Sequence, residues 1–282
     1  MTDIRGISWC LFGVLLAAVL PISRALAAPV PPVVAFDLGR TTFTVLNAKG
    51  TQVIGRSEYN VTIGAGGLIT ERGEARFKTG EYDVEYATLQ SRGPHLAPEM
   101  LTLEHHFYNP DGTPQLSESA DFRTDYASCT QYRKGVANTE QATLEFSPNS
   151  YGGSAVIIPL QEYLAHGGIG PLNLTVLNCI PSPKLIKVTA SPHVAAVWSH
   201  YPGQTVEVDV TPDLGWVNII IGAFLPHLRA WFDPSEHWRF VGGVSSRYYR
   251  GPQIMLVRDI TSRSDGARVG AQPAGASPRR DP

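Results

Sequence analysis

Cysteine, charge and long apolar runs are all scarce in this sequence, and the short motifs that mark familiar chemistries are missing. Three cysteines in 282 residues are too few for a disulfide-framework scaffold or a cysteine-rich zinc module. No H-E-x-x-H or Cys/His zinc spacing occurs, so no metal site is assigned. Gly64-Ala65-Gly66-Gly67 lacks the G-x-G-x-x-G spacing of a phosphate-binding loop and leads into Leu68-Ile69-Thr70, more strand than helix. Gly152-Gly153-Ser154-Ala155 does not complete a G-x-S-x-G elbow, and Ser154 reads instead as a helix N-cap. Charged residues make up 17% of the chain and the formal net charge is −2. There is no basic stripe, so no nucleic-acid partner is expected.

What is present begins with a leader. Arg5 precedes the apolar run Ile7–Leu20, Pro21 breaks that run, and Ala25-Leu26-Ala27 supplies small residues at a cleavage position. Residues 1–27 therefore read as a signal peptide. The chain is expected to be exported, periplasmic or secreted. Later segments do not reach 18 uninterrupted apolar residues, so no membrane span is expected after cleavage. Cys129 and Cys179 are then an even pair in an oxidising compartment and read as a disulfide, with two buried free thiols as the alternative.

Residues 28–32 (APVPP) are a proline-stiffened linker. From 33 to 260 the dominant pattern is short strands between glycine- and proline-containing turns. Tyr82, Val84, Tyr86 and Thr88 alternate with Asp83, Glu85 and Ala87; Val206, Val208 and Val210 alternate with Glu207 and Asp209. Asn47–Gly50 and Asn109–Gly112 are hairpin turns. One segment breaks the pattern. Ser154–Gly168 spaces Ile157, Leu160 and Leu164 for an amphipathic helix, which must cover the concave face of a sheet. Trp216–Phe224 fits either strand or a second helix, and the helical spacing is preferred. Residues 261–282 have no periodicity and read as a disordered tail.

Chemistry-bearing residues do not form a motif. His105 and His106 are adjacent on a strand and point to opposite faces, so one metal ion cannot easily take both. His193, His200, His227 and His237 are isolated. Glu71, Glu74, Glu81, Asp83, Glu85, Glu207 and Asp209 are scattered carboxylates. Glu207 and Asp209 read as the solvated face of a half-buried strand. No catalytic residue and no cofactor is assigned. Aromatic residues cluster late in the chain, among them Trp216, Trp231, Trp238 and Tyr248.

Around Trp231-Phe232-Asp233-Pro234, with strands on both sides, the chain resembles uncharacterised exported bacterial families. These carry an incompletely closed antiparallel β barrel and an Asp-Pro turn after a tryptophan-containing strand near the C-terminus. The leader, the mid-chain helix and the terminal strands WRFVGG and QIMLVR follow a similar order over much of residues 33–260. The architecture also resembles that of periplasmic lipoprotein carriers, whose half-barrel holds acyl chains under covering helices. These likenesses imply no catalytic residues.

The expected fold is mainly β: a single domain over 33–260, built as a large curved antiparallel sheet or open half-barrel with one or two short covering helices. The expected function is non-enzymatic, binding an apolar or amphiphilic ligand such as a lipid in the concavity, or serving an envelope protein. Ile157, Leu160, Leu164, Trp216, Phe224 and Trp231 are expected to line the site. The alternatives are an envelope hydrolase whose active site carries no motif, and a structural or assembly protein without a ligand.

Overall fold

A computed structural model describes residues 38–93, 96–179, 182–213, 228–247 and 251–260. Residues 1–27, 28–32 and 261–282, read above as a signal peptide, a linker and a tail, and the Trp216–Phe224 stretch lie outside the described residues, so the expectations placed on them are not taken further.

Among the described residues the fold is one open, curved sheet of 15 strands with a single α-helix. Strands β1 (Gly39–Asn47), β2 (Val53–Ile63), β3 (Leu68–Phe77), β4 (Tyr82–Gln90), β5 (Glu99–Tyr108), β6 (Pro114–Asp121), β7 (Tyr126–Arg133) and β8 (Val136–Thr143) form a continuous antiparallel meander. A second run contains β9 (Ser150–Tyr151), β10 (Leu172–Cys179), β11 (Pro183–Ala196), β12 (Thr205–Pro212), β13 (Leu228–Asp233), β14 (Arg239–Ser246) and β15 (Gln253–Arg258). Short β9 pairs parallel to β10 at one edge, and β8 forms the other edge. The first and last strands, β1 and β15, pair in the middle of the sheet and unite the two runs.

The expected turns form for the expected reasons. Gly50 and Gly112 close their hairpins with φ of 69° and 81°, which glycine adopts without a Cβ penalty. Gly50 N donates to Asn47 O at 2.8 Å, and Gly112 N donates to Asn109 O at 2.9 Å. Elsewhere the strand boundaries differ from the sequence reading. Phe122–Tyr132 reads as one strand, but its first four residues form the turn after β6 and β7 starts at Tyr126. Strands β6 (PQLSESAD) and β8 (VANTEQAT) carry few of the β-branched and aromatic residues that announce a strand, because partners on the sheet supply their pairing.

Helix α1 (Ile157–Ala165) continues from a 3₁₀ turn at Gly153–Val156. Its Ile158, Leu160 and Leu164 are buried with Leu103, Tyr151 and Phe232 in the main core. Burying each such aliphatic side chain favours folding by about 1.5–3 kcal/mol. The Tyr151 hydroxyl reaches Pro98 O at 2.7 Å, so its polar end is satisfied inside this core.

Cys129 and Cys179 form a disulfide, with Cα atoms 5.5 Å apart. They stand on β7 and β10, each the second strand from an edge of the sheet. The sheet thus curls until its far ends touch and are covalently tied, while β8 and β9 remain unpaired with one another.

Candidate functional site

Inside the curve lies a cavity of about 330 Å³. Phe43, Val61, Phe107, Phe240, Ile254 and Leu256 contribute apolar walls from the sheet, and Val156, Ile157 and Leu160 come from the helix side. Phe43 anchors an aromatic group, with Tyr59 edge-on at 5.7 Å and Phe240 tilted at 5.5 Å between ring centroids.

One end of the cavity is ionisable, and the sheet register explains how. Tyr59 on β2 stands opposite Gly73 on β3, Gly73 opposite Glu85 on β4, Glu85 opposite His105 on β5, and His105 opposite Glu118 on β6. Opposed side chains on one sheet face are close neighbours. Five strands therefore lay a polar row across the inner surface. Gly73 is needed in that row, because a Cβ there would meet the Tyr59 ring at 2.9 Å. Glu71 and Asp83 flank the row on opposite sides, paired with Ala87 and Ala75.

The helix docks on this row by its first turn. Gly153, at φ 59°, lies so close to Glu85 that a Cβ would collide with the carboxylate. The Ser154 backbone N–H donates to Glu85 Oε1 at 2.8 Å. A carboxylate from the sheet thereby satisfies a free N–H at the helix start. Ser154 is not the N-cap expected from sequence; that position is Gly152, with no side-chain cap.

The Ser154 hydroxyl lies 2.7 Å from Glu71 Oε1 and 2.9 Å from Glu85 Oε1. A serine has one hydroxyl hydrogen to donate, and sharing it between two ionised carboxylates is a poor arrangement. The geometry favours a proton on one carboxyl when no cation is bound. Glu85 already accepts from Ser154 N and lies 3.2 Å from His105 Nδ1, which leaves Glu71 as the acid. Burial, and then the neighbouring Glu85 charge, push Glu71 well above the usual carboxylate range.

Two cations serve the rest of the cluster. Burial opposes the charge on His105, but Glu85 and Asp83 outweigh it and lift its pKa to about 9. Arg247 bridges Asp83 at 3.3 Å and Glu81 at 2.6 Å, with its guanidinium 3.9 Å from the Phe77 ring centroid. Glu118 faces His105 along the row, and burial raises it to about 7. Burial and the Glu85 charge also hold the Tyr59 phenol far above its ordinary value, so it stays neutral. Glu71 is 6% exposed, and its Oε2 has no hydrogen-bond partner.

Chain comparisons add nothing to this geometry. No family model, curated protein or solved structure matches the chain.

Of the expected lining residues, Ile157 and Leu160 line the cavity, and Leu164 is buried in the adjoining core. Trp231 lies elsewhere. It pairs with Glu207, on the face opposite Val206, Val208 and Val210, and donates to Glu207 Oε2 at 3.2 Å. Its ring stacks on Trp198 with centroids 4.6 Å apart, in a second cluster with Leu46, Val241 and Met255. Gly242 permits this stack, because a Cβ there would strike the Trp198 ring. The Asp233-Pro234 turn is also architectural: Asp233 accepts from Ser235 N at 2.8 Å and from Tyr201 Oη at 2.6 Å. Trp216 and Phe224 lie outside the described residues.

The sequence reading missed the polar row. Alternation in β4 separates Asp83 and Glu85 from Tyr82, Val84 and Tyr86, but does not say which set faces inward. Here the acids face in. On the outer face Tyr82 stacks on Tyr108 at 4.5 Å, and Tyr86 is 44% exposed.

The cluster can hold a proton at the wall of an apolar cavity that Glu71 helps to line. It does not assemble a serine nucleophile, since His105 contacts Glu85 and Asp83 while the Ser154 hydroxyl lies between two acids. Among the described residues no group of three or more His, Cys, Asp and Glu is arranged to hold a metal ion.

Proposed function

We propose that this chain is an exported binding protein that takes a small apolar or amphiphilic molecule into the cavity between the sheet and α1. The reading rests on one observation: a largely apolar cavity of about 330 Å³ whose wall includes a buried carboxyl with an oxygen that lacks a hydrogen-bond partner. That volume is at the low end for small-molecule sites, roughly 300–1,000 Å³. It favours a single-chain guest over the multiply acylated cargo of a lipoprotein carrier. The disulfide fits an oxidising compartment. Among the described residues no helix is long and apolar enough to cross a membrane.

The test fills the cavity. Ile157 is a half-buried lining residue on the helix, so Ile157→Trp is expected to weaken binding of a hydrophobic dye at least about tenfold, roughly 1.4 kcal/mol, with circular dichroism unchanged. Native mass spectrometry of the purified protein would look for a retained guest. If the protein binds no dye and carries no guest, the proposal fails.

A hydrolase is the second reading, favoured by the protonated Glu71 carboxyl in an apolar setting, which suits a general acid. It lacks a placed partner, since Glu85 and Ser154 are held against each other and against the helix start. Turnover of ester or glycoside substrates that stops in Glu71→Gln would favour it over binding.

A further inference from the structure

We infer that the guest carries a cationic ammonium head, bound by Glu71 with its hydrocarbon part along the Phe43, Val61 and Phe240 walls. The inference rests on the binding proposal above and names the class of ligand.

The argument is one of charge at the polar end. The acids gathered there are Glu71, Glu81, Asp83, Glu85 and Glu118; the cations are His105 and Arg247. Both cations are engaged, His105 between Glu85 and Asp83 and Arg247 between Asp83 and Glu81. Neither Glu71 nor Glu118 has an ion pair among the described residues. Glu71 is faced by Ser154 from the 3₁₀ turn, Glu85 from β4 and His105 from β5. With Glu71 Oε1 on Ser154, its Oε2 is buried without a partner, on a residue that lines the cavity.

Three head groups can be compared against this end. A carboxylate head would meet an excess of like charge in a poorly solvated site, which is strongly unfavourable. A hydroxyl head could donate to Glu71 Oε2, a neutral hydrogen bond of modest worth. An ammonium head ionises Glu71 and forms a charge-assisted N–H···O bond, the strongest of the three. It also offsets the surplus negative charge around Glu85 and Glu118. Tyr59, which lines the same cavity, adds an aromatic ring, a group that attracts ammonium ions.

The experiment uses three probes with the same hydrocarbon chain, decylammonium, decanol and decanoate, displacing a hydrophobic dye from the full chain at neutral pH. Decylammonium is expected to bind about tenfold more tightly than decanol, with decanoate the weakest. In Glu71→Gln the ammonium preference over decanol is expected to vanish. Decanoate equalling or beating decylammonium overturns the inference, as does an ammonium preference that survives Glu71→Gln. The ranking on the unaltered protein decides the matter even where the variant does not fold. If decanol binds without an ammonium advantage, only this inference fails; if the dye and all three probes fail to bind, the binding proposal fails with it.

Discussion

At the scale of single residues, the polar row ties stability to pH. The folded pKa of His105 is raised from 6.5 to about 9, so its contribution is complete below about 6.5 and is lost as pH rises through about 9. Glu118 is raised from 4.5 to about 7. The folded state therefore holds a proton that the unfolded chain releases, and stability falls as pH rises over that interval. Asp233 and Asp259 work the other way. Although burial opposes their charge, hydrogen bonds hold both carboxyls below their usual range, so their contribution is lost in strong acid. The urea midpoint is expected to peak on the mildly acidic side and to decline toward pH 9. Glu118→Gln is expected to flatten the first part of that decline and to raise the midpoint at pH 8. A midpoint that climbs between pH 5 and 9 would contradict the assignment.

At the scale of elements, the docking of α1 depends on a glycine. Any side chain at position 153 needs an unfavourable φ of 59° and collides with Glu85. Gly153→Ala is expected to cost about 1–3 kcal/mol and to weaken dye binding, because the helix start must lift from the polar row. A Gly167→Ala control has a similar φ of 79° and no neighbour in its way; it is expected to cost less and leave binding unchanged. Equal binding by both variants would count against the docking geometry.

This helix was legible in sequence because Ile157, Leu160 and Leu164 follow its period and a double glycine ends it. The strands β4 and β15 were legible for similar local reasons. The acid–histidine row was not. Glu71, Glu85, His105 and Glu118 come from separate strands, and only the register makes them neighbours. Nor does alternation tell inward from outward when the acids of β4 face in and its tyrosines face out. Trp231 misled for the complementary reason: a large aromatic on a strand reads as lining, but its alternation with Ala230 and Phe232 and its pairing with Glu207 place it on the other face.

For the molecule as a whole, the tie between Cys129 and Cys179 joins the two arms of the sheet across a sequence separation of 50. Replacing both cysteines by serine is expected to lower stability by about 4 kcal/mol in the chain-entropy description, measured by denaturant unfolding. It is also expected to speed proteolysis of β7 and β8 more than of β1 and β2. Unchanged stability would mean that packing of β7 and β8 against β11 holds the arms together unaided.

Strand order has a consequence for time. The sheet is centred on a pair made of its earliest and latest strands, with β15 seated between β1 and β14. A ribosome or a translocation pore delivers those partners at opposite ends of the process. Until residues 253–258 have emerged, the two meanders have no seam, and the wall carrying Ile254 and Leu256 does not exist. The cavity is the last thing the growing chain can complete, so a partly made chain has no place to hold a guest.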